Sequence, residues 1–240
     1  MIKDKLIAAL DFPTLQAAQN CVLACGDEVT YYKVGMELYY AAGNEMIAFL
    51  KQHQKHVFLD LKLQDIPNTV SSAVRVLTRL GVDMMNVHAT GGLKMMQVAQ
   101  QSVREEAQAL GIVPPKLIAV TVLTSMNETE FAALNYRTSV AEQVVSLAKL
   151  AKEAGLDGVV ASPQEAARIR QACGPDFLIV TPGVRPAGAD TQDQRRITTP
   201  AQAIENGADH LVVGRPITQA ADPQAAARAI QHEICSVIKE

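Results

Sequence analysis

Asp60, Lys62 and Asp65 stand close together in HVFLDLKLQDIPNTV (residues 56–70), a stretch otherwise dominated by Val57, Phe58, Leu59, Leu61 and Leu63. Such an aliphatic run reads as a buried strand, where an unpaired charge costs several kcal/mol. Three charges at that place therefore point to chemistry. Side chains on a strand alternate faces, so Phe58, Asp60 and Lys62 share one face and Val57, Leu59, Leu61 and Leu63 the other. A lysine flanked by carboxylates can act as a charged general acid and can stabilise a developing negative charge. Lys33, in YYKVG (31–35), is expected beside them. The row Lys33, Asp60, Lys62, with Asp65 just beyond, would give each ion an opposite neighbour and offset part of the desolvation cost.

The elements that must position this row recur along the chain. Short apolar runs appear at KLIAAL (5–10), YYKVG (31–35), HVFLDLK (56–62) and MMNVHA (84–89). They continue at KLIAVTVL (116–123), DGVVAS (157–162), FLIVTPG (177–183) and HLVVGR (210–215). Between them lie stretches of helical character, among them Thr14–Cys25, Thr69–Leu80 and Val140–Ala154, and a Gly or Asp precedes several strands (LGVD, AGLDG, NGAD). Eight strands separated by helices predict an α/β fold, a single (β/α)8 TIM barrel spanning residues 1–240 as one domain. A doubly wound open sheet is the alternative topology.

Composition agrees with a globular protein. The chain has 240 residues, 48% hydrophobic and 20% charged, with a formal net charge of −3. That balance carries no electrostatic footprint for nucleic acid or a membrane surface. No apolar run approaches the ~18 residues of a membrane span, and the short apolar run in MIKDKLIAALDFP is not expected to be a signal peptide. Cys21, Cys25, Cys173 and Cys235 form no C-x-x-C pair and read as buried, reduced thiols, which implies a cytoplasmic setting. The histidines lack metal-ligand spacing, so no metal is expected.

Barrels of this kind place chemistry at the C-terminal strand ends. Asp11, Asp60, Lys62, His88, Thr124 and Arg215 fall at or just past such ends, and Lys33 sits within the second strand. His88 reads as a structural strand-end residue, and an ion-pair network that only plugs the barrel is the structural alternative for the charged row. The loops after the last two strands, TPGVRPAGADTQDQRRITTP (181–200) and GRPITQA (214–220), are where barrels often hold a phosphate. There Gly214 would let an anion approach the backbone and Arg215 would offer a forked contact. Arg195 and Arg196 read as solvated.

DLKLQDI, taken with ALDF and YKVG, resembles the orotidine 5′-phosphate decarboxylase family, whose signature is D-x-K-x-x-D-I. The similarity runs on through TVLTSM, TPGVRP and VVGRPI and covers essentially the whole chain. The resemblance implies a TIM barrel and a homodimer with shared active sites. It implies decarboxylation of a small-molecule substrate, orotidine 5′-monophosphate, to UMP, the last step of de novo pyrimidine nucleotide synthesis, with no metal or cofactor. It assigns Asp11 and Lys33 to ribose hydroxyls and the charge network, Asp60 to the side of the departing carboxylate, and Lys62 to protonation of carbon 6. Asp65 and Thr69 would complete the neighbouring subunit's site. Thr124 would meet the pyrimidine edge, Pro182 would line its pocket, and Arg185, Gln194, Gly214 and Arg215 would surround the phosphate, Gln194 as part of a lid.

Two rivals differ in class. A magnesium-dependent 3-keto-L-gulonate 6-phosphate decarboxylase shares the D-x-K-x-x-D pattern but has an acidic residue at the position of Lys33, which here would repel the metal. A non-catalytic nucleotide-phosphate-binding barrel would keep Gly214 and Arg215 and have no use for the costly charged row.

Overall fold

The structure, a computed structural model, describes residues 2–186 and 198–238. Its strands are β1 (Leu6–Ala9), β2 (Tyr31–Gly35), β3 (His56–Leu63), β4 (Met84–His88), β5 (Lys116–Val120), β6 (Gly158–Val160), β7 (Leu178–Thr181) and β8 (His210–Val213). Each runs parallel to the next, and β8 returns to pair with β1, with Ile7 opposite Val212. This is the closed (β/α)8 barrel; the open sheet does not occur.

Period-two alternation separates two cores. Ile7, Ala9, Tyr31, Phe58, Met84, Ile118, Val180 and Val212 fill the barrel interior. Their sequence neighbours Leu6, Ala8, Tyr32, Val57, Leu59, Met85, Leu117, Ile179 and Leu211 turn outward and pack with the surrounding helices. Fully burying one such side chain is worth about 1.5–3 kcal/mol, so a one-residue slip of any strand would forfeit several at once. Gly158 is required where β6 meets β7: a Cβ there would lie 2.2 Å from the Leu178 carbonyl oxygen.

Several helices start where their sequences supply caps. The Thr14 hydroxyl accepts from the Ala17 amide ahead of Leu15–Cys25, and Ser139 with Glu142 forms a capping box ahead of Val140–Glu153. The aspartates noted at strand entries form a recurring brace at the N-terminal end of the barrel. Oδ2 of Asp83, Asp157 and Asp209 accepts from the amides of Val57, Leu117 and Ile179, at 2.8, 2.9 and 2.8 Å. Each carboxylate is also ion-paired, with Lys51, Lys116 and Arg170 respectively. One residue type thus ties each of three strands to the start of the next.

Three expectations need correction. The fifth strand ends at Val120 rather than Leu123, because Val122 and Leu123 turn in to line the cavity above the barrel. The helix expected from Thr69 begins at Pro67, which opens the helix Pro67–Arg79 from the first turn, where its missing N–H costs nothing. Cys21, Cys25 and Cys173 are buried, but Cys235 is exposed at the end of the helix Pro223–Cys235. Among the described residues no helix is long and apolar enough to cross a membrane.

Candidate active site

A cavity of about 620 Å³ opens at the C-terminal ends of the strands. Phe58, Val120, Val160 and Val212 form an apolar floor, and Asp11, Lys33, Asp60, Lys62, Thr124, Pro182, Arg185, Gly214 and Arg215 stand around it. Nine of the residues singled out from the sequence therefore converge on one cavity. Asp65 and Thr69 do not line it. Both are exposed; Asp65 turns its carboxylate back onto the Ile66 amide at 2.6 Å, and Thr69 sits in the first turn of Pro67–Arg79 beside Ile66, which is 68% exposed. The expected continuation of the charged row to Asp65 is not formed among the described residues. Gln194, Arg195 and Arg196 lie outside the described residues.

The row itself is built from three strands. Lys33 Nζ reaches Oδ1 of Asp11 at 3.1 Å and Oδ2 of Asp60 at 3.4 Å, while Lys62 Nζ donates to Oδ1 of Asp60 at 2.7 Å. Asp60 is only 8% exposed. Burial alone would push its carboxyl up, but the Lys33 and Lys62 ammoniums, with hydrogen bonds from Lys62 and Asn86, hold it below the usual carboxylate range. For Lys33, burial opposes the charge, and Asp60 and Asp11 outweigh it and raise its pKa. Gly35, at the end of β2, keeps room for this arrangement: a Cβ there would come within 2.9 Å of Lys33 Nζ and 3.3 Å of Asp11 Oδ1.

Sequence periodicity places Lys62 on the inner face but misses how it gets there. Leu59 lies opposite Met85 and Leu63 opposite Val87, so β3 uses four residues where β4 uses two. Within this bulge Lys62 adopts a left-handed backbone, φ 53°, a conformation that costs a non-glycine residue of order 1–3 kcal/mol. Asn86 supports it. Its Oδ1 accepts from the Lys62 amide at 2.8 Å and its Nδ2 donates to Asp60 Oδ1 at 2.7 Å. The sequence signal for Asn86 was an amide on the inward face of an apolar strand, between Met84 and His88. His88 is half-buried; burial and then the Lys62 charge lower its pKa, so it is neutral at pH 7.

At the far side of the cavity two cations converge. Arg185 is buried, its Nη1 donates to the Val184 carbonyl at 3.0 Å, and its Nε has no hydrogen-bond partner among the described residues. Burial, then the neighbouring Arg215, press against its charge. A Cβ on Gly214 would meet Ala9 Cβ at 3.6 Å and Asp11 Oδ2 at 3.8 Å, ordinary contact distances, so packing within the chain does not demand glycine there. The arrangement can hold an anion at one end and a polar, proton-exchanging group at the other, over an apolar base. Among the described residues no three His, Cys, Asp or Glu side chains converge as a metal-binding group.

Comparison with known proteins places this geometry among relatives. The family model described as Orotidine 5′-phosphate decarboxylase / HUMPS family matches residues 4–230. The orotidine 5′-phosphate decarboxylase of Moorella thermoacetica is 56% identical over 233 residues, covering 97% of this chain and 92% of the relative. A Streptococcus pneumoniae protein of the same name is 52% identical over 235 residues, 97% of each chain. Among solved structures, orotidine 5′-phosphate decarboxylase from Lactobacillus acidophilus superposes with a TM-score of 0.86 at 43% identity, covering 96% of this chain and 99% of that one. The Pyrococcus horikoshii structure of that name gives 0.74 at 26% identity, covering 96% and 99%.

Proposed function

The chain belongs to the orotidine 5′-phosphate decarboxylase / HUMPS family, and from that premise we propose that Lys62 is the acid of its reaction. The reaction is the decarboxylation of orotidine 5′-monophosphate to UMP, a step of pyrimidine biosynthesis. The observation that carries the proposal is the Lys33–Asp60–Lys62 row beneath a cavity whose other side holds Arg185 and Arg215.

The residues divide the work by charge. Arg185 and Arg215 take the dianionic phosphate, which relieves the repulsion between them and gives the buried Nε of Arg185 an acceptor. Gly214 leaves open backbone beside the phosphate, and Gln194 would cover it. Asp11 and Lys33 meet the ribose hydroxyls, while Thr124 and Pro182 hold the pyrimidine over the apolar floor. The carboxylate on carbon 6 then stands beside Asp60. Two carboxylates ~4 Å apart repel by about 4 kcal/mol at an effective dielectric of 20, equivalent to about three decades of rate if wholly relieved.

As the bond from carbon 6 to the carboxylate breaks, the electron pair stays on carbon 6 and CO2 departs. The Lys62 ammonium, already fixed at 2.7 Å from Asp60, stabilises that charge and gives carbon 6 its proton; the lysine amine regains one from water. Following loss of orotate absorbance when orotidine 5′-monophosphate is added to chelator-treated protein tests the reaction. Turnover is expected to survive chelation, and turnover that needs added magnesium would oppose this reading.

We further propose a homodimer in which Asp65 and Thr69 complete the partner's site. Their exposure, outside their own cavity and next to exposed Ile66, supports this. A cytoplasmic location fits a nucleotide substrate and four unpaired cysteines.

A further inference from the structure

We infer that Asn86 is the positioning residue of the Asp60–Lys62 pair: one side-chain amide sets both where the carboxylate points and where the lysine backbone turns. The inference rests on the proposed role of Lys62. Asn86 is 1% exposed, so both its donor and its acceptor must be used inside the protein. Its Nδ2 donates to Asp60 Oδ1 at 2.7 Å and its Oδ1 accepts from the Lys62 amide at 2.8 Å. These partners sit two residues apart on β3, in the stretch where the ladder to β4 shifts register. The side chain thus takes the place of a ladder bond for the Lys62 N–H, at the residue whose φ is left-handed.

Residue type follows from this double duty. Aspartate of the same shape could accept from Lys62 but has no donor and would repel Asp60. Leucine would satisfy neither group, and serine is too short to span both. Among the described residues the Asn86 side chain hydrogen-bonds no cavity-lining residue other than this pair, so it acts through Asp60 and Lys62 rather than on substrate.

The carboxylate of Asp60 faces Lys33 from β2, Lys62 from its own strand and the neutral His88 from β4, with Asp11 beyond Lys33. Removing the Asn86 amide deletes one group that favours its ionised form, and an aspartate at 86 adds a negative neighbour.

The test is the pH dependence of kcat and KM for orotidine 5′-monophosphate in wild type, Asn86→Ala and Asn86→Asp, with melting temperatures. In Asn86→Ala, kcat should fall about a hundredfold, the scale of a 1 Å misplacement, with KM little changed because the phosphate contacts remain. The acid limb of kcat should move to higher pH, and farther in Asn86→Asp, which keeps the side-chain volume and so reports on folded protein. Wild-type kcat with an unmoved acid limb in Asn86→Asp would overturn the inference. So would kcat and KM changing in proportion to lost melting temperature. Lys62→Ala, run in parallel, separates the two readings. An active Lys62→Ala defeats the proposed acid, whereas an inactive one beside a wild-type-like Asn86→Asp defeats only the positioning role.

Discussion

Lys62 Nζ and Asp60 Oδ1 are joined at 2.7 Å although the two residues belong to one strand, two positions apart. In an extended strand that spacing keeps Cβ atoms on one face but about 6.6 Å apart. The bulge and the left-handed backbone at Lys62 are where β3 departs from that geometry. The consequence is an ammonium held against a carboxylate before any substrate arrives. Each ion is stabilised by the other, and each would lose by the other's removal.

Asp60→Asn tests that mutual dependence. It takes from Lys62 its ion-pair partner and leaves Lys33 with Asp11 alone, and should cost about 3 kcal/mol of stability at pH 7 by denaturant titration. Burial opposes ionisation of Asp60, but Lys33, Lys62 and their hydrogen bonds win and hold its folded pKa below the ordinary value. A depressed carboxyl contributes its full stability above the unfolded pKa, about 3.9, and loses it as pH falls through the folded value. The gap between wild type and Asp60→Asn should therefore close in acid. A gap that stays constant down to about pH 2 would contradict the ion-pair account.

Arg215→Ala should act through the phosphate. KM for orotidine 5′-monophosphate should rise by one to two decades, about 1.4–2.8 kcal/mol, with some loss of kcat if phosphate binding also organises the site. Orotidine, which lacks the phosphate, should react poorly with wild type and be almost indifferent to the substitution. Equal losses on both substrates, read from kcat/KM, would remove the phosphate-specific role.

Sharing of sites across a dimer predicts complementation. Lys62→Ala and Asp65→Ala chains, each inactive alone, are mixed in equal amounts and allowed to exchange subunits. About half the dimers become mixed, and each mixed dimer holds one intact site, so roughly a quarter of wild-type activity should return. If Asp65 serves its own subunit, every site lacks one residue and no activity returns after demonstrated exchange.

The barrel was legible because eight short apolar runs alternate with stretches of helical character; which face of a run points inward was legible only in β3, where Phe58 shares a face with Asp60 and Lys62. The cluster at the cavity was legible because buried charge is expensive, which made Asp60 and Lys62 conspicuous in an aliphatic strand. What stayed hidden depends on contacts across strands. The left-handed φ of Lys62 follows from the β3–β4 register shift and its bond to Asn86, and neither has a local signature. Asn86 itself carries no charge and therefore drew no attention. The early start of Pro67–Arg79 reflects a choice open to proline, which can end a loop or open a helix, and tertiary packing decides between them. Asp65 looked like the next member of the row, but in the folded chain its carboxylate binds the Ile66 amide instead.

The central claim, that Lys62 supplies the proton and the cationic stabilisation for decarboxylation, is tested most directly by the kcat of Lys62→Ala on orotidine 5′-monophosphate. The measurement is made on protein shown to keep its fold and to bind UMP. Loss of both roles should lower kcat by at least three decades, about 4 kcal/mol of transition-state stabilisation. A variant that retains a tenth of the wild-type kcat, a loss of only about 1.4 kcal/mol, would contradict it.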